Sequence, residues 1–194
     1  MIYRNKLLLR NSRCSAVQEI IIRKTIKGDA EQVVKLSNAV VRSAYAHIMP
    51  QEIFDFNDAN INEKIERIKK QEFNINGNIN LVAVDCDKDK ITAFANAKTL
   101  SNYEYYSNLG YADLWSIYIA SEYQRQGLGK KLFDNTASEL KKQGCLKMII
   151  GVLKENLQAR KAYEKWGGRL DAHEKFYEKM GYKFPEVFYI FDIQ

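Results

Sequence analysis

The chain has 194 residues, 46% of them apolar and 12% aromatic, and 30 basic against 24 acidic side chains leave it at +6. That length suits one domain, and that apolar share can bury a core, which excludes chain-wide disorder and low-complexity organisation. Cys14, Cys86 and Cys145 are scattered without a C-x-x-C pair, which excludes a disulfide framework and a zinc ribbon and reads as free thiols in a reducing, cytoplasmic setting.

Residues 1–18 carry Arg4, Lys6, Arg10 and Arg13 with no acid before Glu19. Their composition is that of a transit peptide, but Leu7-Leu8-Leu9 is too short for a signal-peptide core. They are read as a basic flexible leader, and residues 19–194 as a single domain. Ile20 to Lys24 is a β-branched strand, after which Asp29 and Gln32 have the spacing of a capping box. Val33, Leu36, Val40, Val41 and Ala44 continue at helical spacing. Pro50 breaks the tract from Tyr45 to Phe56, which reads as a helix end and a loop. Ile61, Ile65, Ile68 and Phe73 among charges predict a second amphipathic helix.

Leu81 to Val84 and Ile91 to Leu100 flank a charged turn and predict an antiparallel hairpin. A loop with Tyr103, Tyr105, Tyr106 and Tyr111 leads to a strand over Leu114 to Ile119, a turn at Gly127 and Gly129, and a helix ended by Gly144. Met148 to Val152 is a buried strand, and Asn156 opens a helix that stops at Gly167-Gly168. Val187 to Phe191 is a last strand, with residues 170–180 as its hairpin partner rather than a helix over Phe176 to Met180. The pattern is mixed α/β, with hairpins at both ends and one strand-helix-strand crossover between them.

No apolar run approaches the ~18 residues of a membrane span, and no membrane association is expected. The positive charge suits an anionic partner. Its pairs Lys69-Lys70, Lys130-Lys131 and Lys141-Lys142 read as solvated helix faces, so no nucleic acid is expected. His47 and His173 have no metal-ligand spacing, and no metal is expected. Cys145 could serve as a nucleophile only with a histidine beside it in space, and otherwise reads as a small apolar residue.

A strand, then Gly127-x-Gly129, then a helix forms a phosphate cradle on physical grounds: glycines admit close approach, successive N–H groups converge, and the helix N-terminus is partly positive. A Rossmann G-x-G-x-x-G fails at Leu132, and a Walker loop fails at Lys131. Gln124-Arg125-Gln126-Gly127-Leu128-Gly129 instead fits Gln/Arg-x-x-Gly-x-Gly/Ala, the pyrophosphate signature of the GNAT superfamily of N-acetyltransferases, which the sequence resembles. A second match follows: Asn156, Ala159, Tyr163, Lys165 and Gly167 fit that family's N-x-x-A-x-x-x-Y-x-K-x-G helix.

The resemblance, covering about residues 19–194, implies a GNAT fold: a central, mostly antiparallel twisted sheet with a parallel, splayed strand pair and flanking helices. It implies an acyltransferase with acetyl-CoA as cosubstrate and a small-molecule or protein amine as acceptor. Ile117 and Ile119 would offer main-chain groups to the pantetheine; Arg125, Gln126, Gly127, Leu128, Gly129 and Lys130 would hold the pyrophosphate. Asn156 would contact the amide arm or cap its helix, and Tyr163 would contact the cofactor or act as general acid toward the leaving thiolate.

The ammonium acceptor must lose a proton, and Asp113 and Glu122 are base candidates by position, each also readable as a surface carboxylate. Glu52, Asp55 and Asp58 could attract a cationic amine, while Trp115, Tyr118 and the tyrosine loop could wall its pocket. The expectation is an N-acetyltransferase working by direct attack; the alternative is a non-catalytic acyl-CoA-binding or sensing module of the same fold. The acceptor's identity and the oligomeric state stay open, a homodimer being compatible.

Overall fold

In the computed structural model, which describes residues 19–71 and 73–193, the chain opens with strand β1 (Ile20–Lys24) and a 3-10 turn at Lys27–Asp29. Helices α1 (Ala30–Tyr45), α2 (Gln51–Ala59) and α3 (Ile61–Lys70) precede strands β2 (Asn78–Asp85) and β3 (Lys90–Lys98). Then come α4 (Glu104–Asn108), β4 (Ala112–Ile119), α5 (Leu128–Lys142), β5 (Lys147–Leu153) and α6 (Leu157–Lys165). The hairpin of β6 (Arg169–Lys179) and β7 (Tyr182–Asp192) closes the chain. The leader expected over residues 1–18 lies outside the described residues.

All seven strands form one sheet in the order β1-β2-β3-β4-β5-β7-β6, antiparallel except for the parallel pair β4 and β5. Alternation divides the strands between two faces. Leu128, Leu132 and Leu140 of α5 pack with Leu114, Met148 and Tyr189 on one face. On the other, α2 contributes Ile53 and Phe54 against Leu153 and Phe184, and α4 contributes Tyr106 against Ile149 and Phe188. The last hairpin turns through Met180 and Gly181, both left-handed at φ 51° and 82°, with Lys179 facing Tyr182. Two left-handed residues match the right-handed twist of a tight hairpin. Residues 170–179 are therefore strand, in agreement with the pattern.

Three local expectations are corrected. Asp29 does not cap α1 with its side chain: it accepts from the Ile26 N–H at 2.9 Å and from Arg23 at 2.6 and 2.8 Å. Gln32 accepts from the Ile91 N–H at 2.8 Å, tying α1 to β3 instead of completing a capping box. The tract after Pro50 is helix α2, not loop, because proline just outside a helix start removes an N–H that has no helical partner there. The tyrosine loop likewise contains the short helix α4.

Gly167, left-handed at φ 96°, ends α6, and the Gly168 N–H donates to the Tyr163 carbonyl at 2.9 Å. A Cβ on Gly168 would lie 2.6 Å from Phe191 Cζ and 2.9 Å from that same carbonyl. Gly168→Ala therefore has to push α6 or the buried Phe191 ring aside, at a cost of about 1–3 kcal/mol. The expected result is a lower urea midpoint with an unchanged slope in equilibrium unfolding.

Candidate active site

The site follows from how β4 and β5 part. They pair only at Ala112 with Met148 and Asp113 with Ile149, after which β4 bulges. Asn96 faces Ser116 and Ala97 faces Leu114, so Trp115 is the extra residue, and it is 40% exposed. A bulge bends its strand and raises its twist. The gap beyond it is a cavity of about 310 Å³ that passes between the two strands. Leu114, Ile117, Val152 and Tyr163 line it from the α5 and α6 side; Tyr45, Asn57, Tyr103, Tyr177, Lys179 and Glu186 line it from the other.

The glycine turn leads directly into α5. Arg125 and Gly127 are left-handed, at φ 58° and 84°, and the first turn of α5 carries no acid. The two glycines are required for different reasons. Gly127 faces open space and is needed for its φ, whereas a Cβ on Gly129 would meet Ile119 Cδ1 and Trp166 Cζ2 at 3.3 Å. Leu128 is fully buried, so only its main chain can face a ligand. Gln126 donates to the Glu122 carbonyl at 2.7 Å, and Lys130 pairs with Asp134 at 2.6 Å. Gln124 donates to the Ile119 carbonyl at 2.9 Å; of the two isoleucines expected to face the pantetheine, Ile117 lines the cavity and Ile119 does not.

Asn156 caps α6, accepting from the Ala159 N–H at 3.1 Å, a contact worth about 1 kcal/mol. Tyr163, seven residues on, is buried on the cavity wall among Trp166 and Tyr189, with ring centroids 5.6 and 5.8 Å away. Burial, then the neighbouring Tyr45 and Tyr118, pushes its phenol well above the ordinary tyrosine value. It is a weak acid that holds its proton.

Neither sequence-based base candidate reaches the cavity. Glu122 pairs with Lys90 at 2.7 Å on the surface. Asp113 is 0% exposed: its Oδ2 accepts from Ser101 Oγ at 3.2 Å and the Asn102 N–H at 3.3 Å, and its Oδ1 has no partner. Burial raises its pKa. The acids of α2 also point elsewhere. Asp58 pairs with Arg42 at 2.6 Å, Glu52 bonds to Tyr182, and Asp55 bonds to Gln51.

The carboxylate inside the cavity is Glu186, which the sequence reading left just outside the last strand. On β7 it alternates with Phe184 and Phe188, and its two oxygens lie 3.1 Å from the Tyr103 hydroxyl, a shared donor. A Cβ at Gly151 would fall 2.7 Å from Glu186 Oε1, so the missing side chain on β5 makes room for this carboxylate. Burial first, and the Asp113 charge behind it, raise the Glu186 pKa; the Tyr103 hydrogen bond opposes the rise. A charged residue between phenylalanines at strand spacing was the available signal.

Of the tyrosine loop, only Tyr103 lines the cavity; Tyr106 donates to Asp171 at 2.7 Å, and Tyr105 stacks on His173 with centroids 4.5 Å apart. Trp115 and Tyr118 do line it. Cys145 is buried, with Sγ 3.7 Å from the Thr99 carbonyl, and burial raises its thiol pKa. Among the described residues, no helix is long and apolar enough to cross a membrane, and no group of three or more His, Cys, Asp or Glu could hold a metal ion.

The family model for the acetyltransferase (GNAT) family matches residues 41–168. No curated protein matches the chain. Among solved structures, the PaiA N-acetyltransferase of Thermoplasma acidophilum in complex with coenzyme A is 22% identical with a TM-score of 0.61, covering 87% of this chain and 98% of its own. An N-acetyltransferase from Staphylococcus aureus is 19% identical with a TM-score of 0.62, over 91% and 99% of the two chains. YncA from Salmonella typhimurium with acetyl-CoA is 16% identical, also at 0.62, over 91% and 95%. At these identities the likeness is one of fold.

A raised pKa means that ionising Asp113 opposes folding. This stability is fully present below the unfolded aspartate value of about 3.9 and is lost as pH climbs through the raised folded value. Asp113→Asn keeps the two donors satisfied and removes the charge. Its melting temperature is expected to exceed that of the wild type by about 2–4 °C at neutral pH, with the gap closing in acid, as read by circular dichroism across a pH series.

Proposed function

The chain belongs to the acetyltransferase (GNAT) family, and from that premise we propose that it is an N-acetyltransferase, moving acetyl from acetyl-CoA to a primary amine by direct attack within a single domain over residues 19–194. The observation that carries this reading is a cavity through the sheet with a proton donor, Tyr163, on one wall and a proton acceptor, Glu186, on the other.

The residues present suit the cosubstrate. Left-handed Arg125 and Gly127 turn successive N–H groups toward the space before α5, whose N-terminus is partly positive and whose first turn lacks any opposing acid. Gly127, Leu128, Gly129 and Lys130 would offer main-chain N–H groups to the pyrophosphate, with charge from Arg125 and Lys130, while Gln126 braces the turn. Past Asp113, β4 has no strand partner on its β5 side, and Ile117 would offer its main chain to an extended arm there. Asn156 fixes the start of α6 and thereby the height of Tyr163.

Acetyl-CoA supplies an activated acyl carbon and a thiol leaving group. Glu186, partly desolvated and so a stronger base than a surface carboxylate, takes one proton from the ammonium acceptor and exposes its lone pair. As the carbon–nitrogen bond forms and the carbon–sulfur bond breaks, Tyr163 gives its proton to sulfur. The second amine proton restores the phenol, so one proton leaves through Glu186 for each acetyl transferred. Glu186 replaces Asp113 and Glu122 in the base role because it alone of the three lines the cavity.

Release of free thiol from acetyl-CoA in the presence of a primary amine tests the reading, and acetyl-CoA binding without release for any amine would leave a non-catalytic module. Gly127→Asp forces a side chain at φ 84° and sets a negative charge before α5; it should weaken CoA at least tenfold by calorimetry while the fold is kept.

Two conservative variants separate the proton roles. Tyr163→Phe should lower kcat roughly 10–1000-fold with little change in acetyl-CoA binding. Glu186→Gln should lower kcat by a similar factor. In the wild type, kcat/KM should fall in acid through a pKa above the usual carboxylate value of about 4.3, and that limb should vanish in the Gln variant. Steady-state kinetics across pH read both.

A further inference from the structure

Lys179 and Asn57 line the cavity, and Lys64 joins them from behind Asn57. Asn57, buried on α2, accepts at one oxygen, Oδ1, from Lys64 Nζ of α3 at 2.9 Å and from Lys179 Nζ of β6 at 3.5 Å. Among the described residues neither lysine forms an ion pair. The nearby Asp58 is engaged by Arg42 at 2.6 Å. Burial, then Lys179 and Arg67, push the Lys64 ammonium toward its neutral form, the direction expected of a partly buried cation among like charges. Two ammonium groups that converge on one neutral amide oxygen repel each other, Lys179 also lying over the Phe56 ring at 5.6 Å, and an anion between them would relieve that repulsion.

Building on the acceptor reading above, we propose that the amine substrate also carries an anionic group, held between Lys179, Lys64 and Asn57 while its amino group lies at Glu186. The cavity then has two poles of opposite charge, and its aromatic walls cover the alkyl chain between them. The strand register sets the span. Lys175 faces Glu186, and Lys179 lies four residues further along β6, about 14 Å at ~3.4 Å per residue. The inward reach of both side chains shortens that distance, which favours an aminoalkyl carboxylate or phosphate over a compact α-amino acid. The arrangement also disfavours a diamine, whose second ammonium would meet two lysines.

Thiol release from acetyl-CoA with γ-aminobutyrate, phosphoethanolamine, putrescine and ethanolamine tests this. Wild-type kcat/KM should be at least tenfold higher for the two anionic amines than for the other two, and the better of the pair tells carboxylate from phosphate. Lys179→Glu and, separately, Lys64→Gln should raise KM tenfold or more for the anionic amines alone, with kcat nearly kept and melting temperature as the folding control. Preference for putrescine in the wild type, or a KM rise shared by all four amines, would overturn the proposal. Should no amine release thiol, the same four compounds titrated by calorimetry still decide it. Tighter binding of the anionic pair, lost in Lys179→Glu, supports the charged pole while the transfer reading fails; equal or absent binding overturns the pole as well.

Discussion

Two strands that run parallel and then separate leave backbone N–H and C=O groups facing a gap, and buried backbone groups without partners are costly. In this chain β4 and β5 hold together over two residue pairs and part at the bulge around Trp115. The rest of the fold works to keep that gap open and bounded. The antiparallel hairpins on either side stiffen each strand from its far edge, with β3 pairing β4 and β7 pairing β5 along its full length. The helix after each parted strand then places a terminus beside the gap: α5 with its glycine turn, α6 with its asparagine cap.

Charge is disposed around the gap by burial as much as by sequence. Asp113 lies behind the wall, wholly enclosed, where its negative charge raises the cost of a second one at Glu186. Glu186 is kept usable by Tyr103, whose hydroxyl bridges its two oxygens, and by the empty volume above Gly151. At the opposite end the lysines from α3 and β6 meet at Asn57 without an acid between them. Weak hydroxyl donors fill the space between, from Tyr45, Tyr118, Tyr163 and Tyr177, all raised in pKa by burial first.

What the sequence disclosed was what spacing along one segment can encode. The glycine turn, the Asn156 cap and Tyr163 lie within short stretches whose geometry is local, and the two end hairpins show as alternation around turn residues. What stayed hidden depends on register between distant segments. Glu186 matters because β7 sets it over Gly151, and no window around Pro185 reveals that neighbour. Asp113 and Glu122 share the neighbourhood of β4 in sequence, but one is enclosed by Ser101 and Asn102 and the other is drawn outward by Lys90. The capping pattern at Asp29 failed for a similar reason, since Arg23 and the Ile91 N–H claim the two side chains from outside the helix. Pro50 misled in a different way, because a proline that ends one helix serves equally well to start the next.

The cavity is lined from both faces of the sheet, with Tyr163 and Val152 on one and Glu186, Asn57 and Lys179 on the other. On the proposed reading, the bulky thioester and the small amine approach from opposite sides and meet in the middle, so neither has to wait for the other to clear its doorway. On the same reading, the acceptor side is free to diversify without disturbing the grip on the cosubstrate.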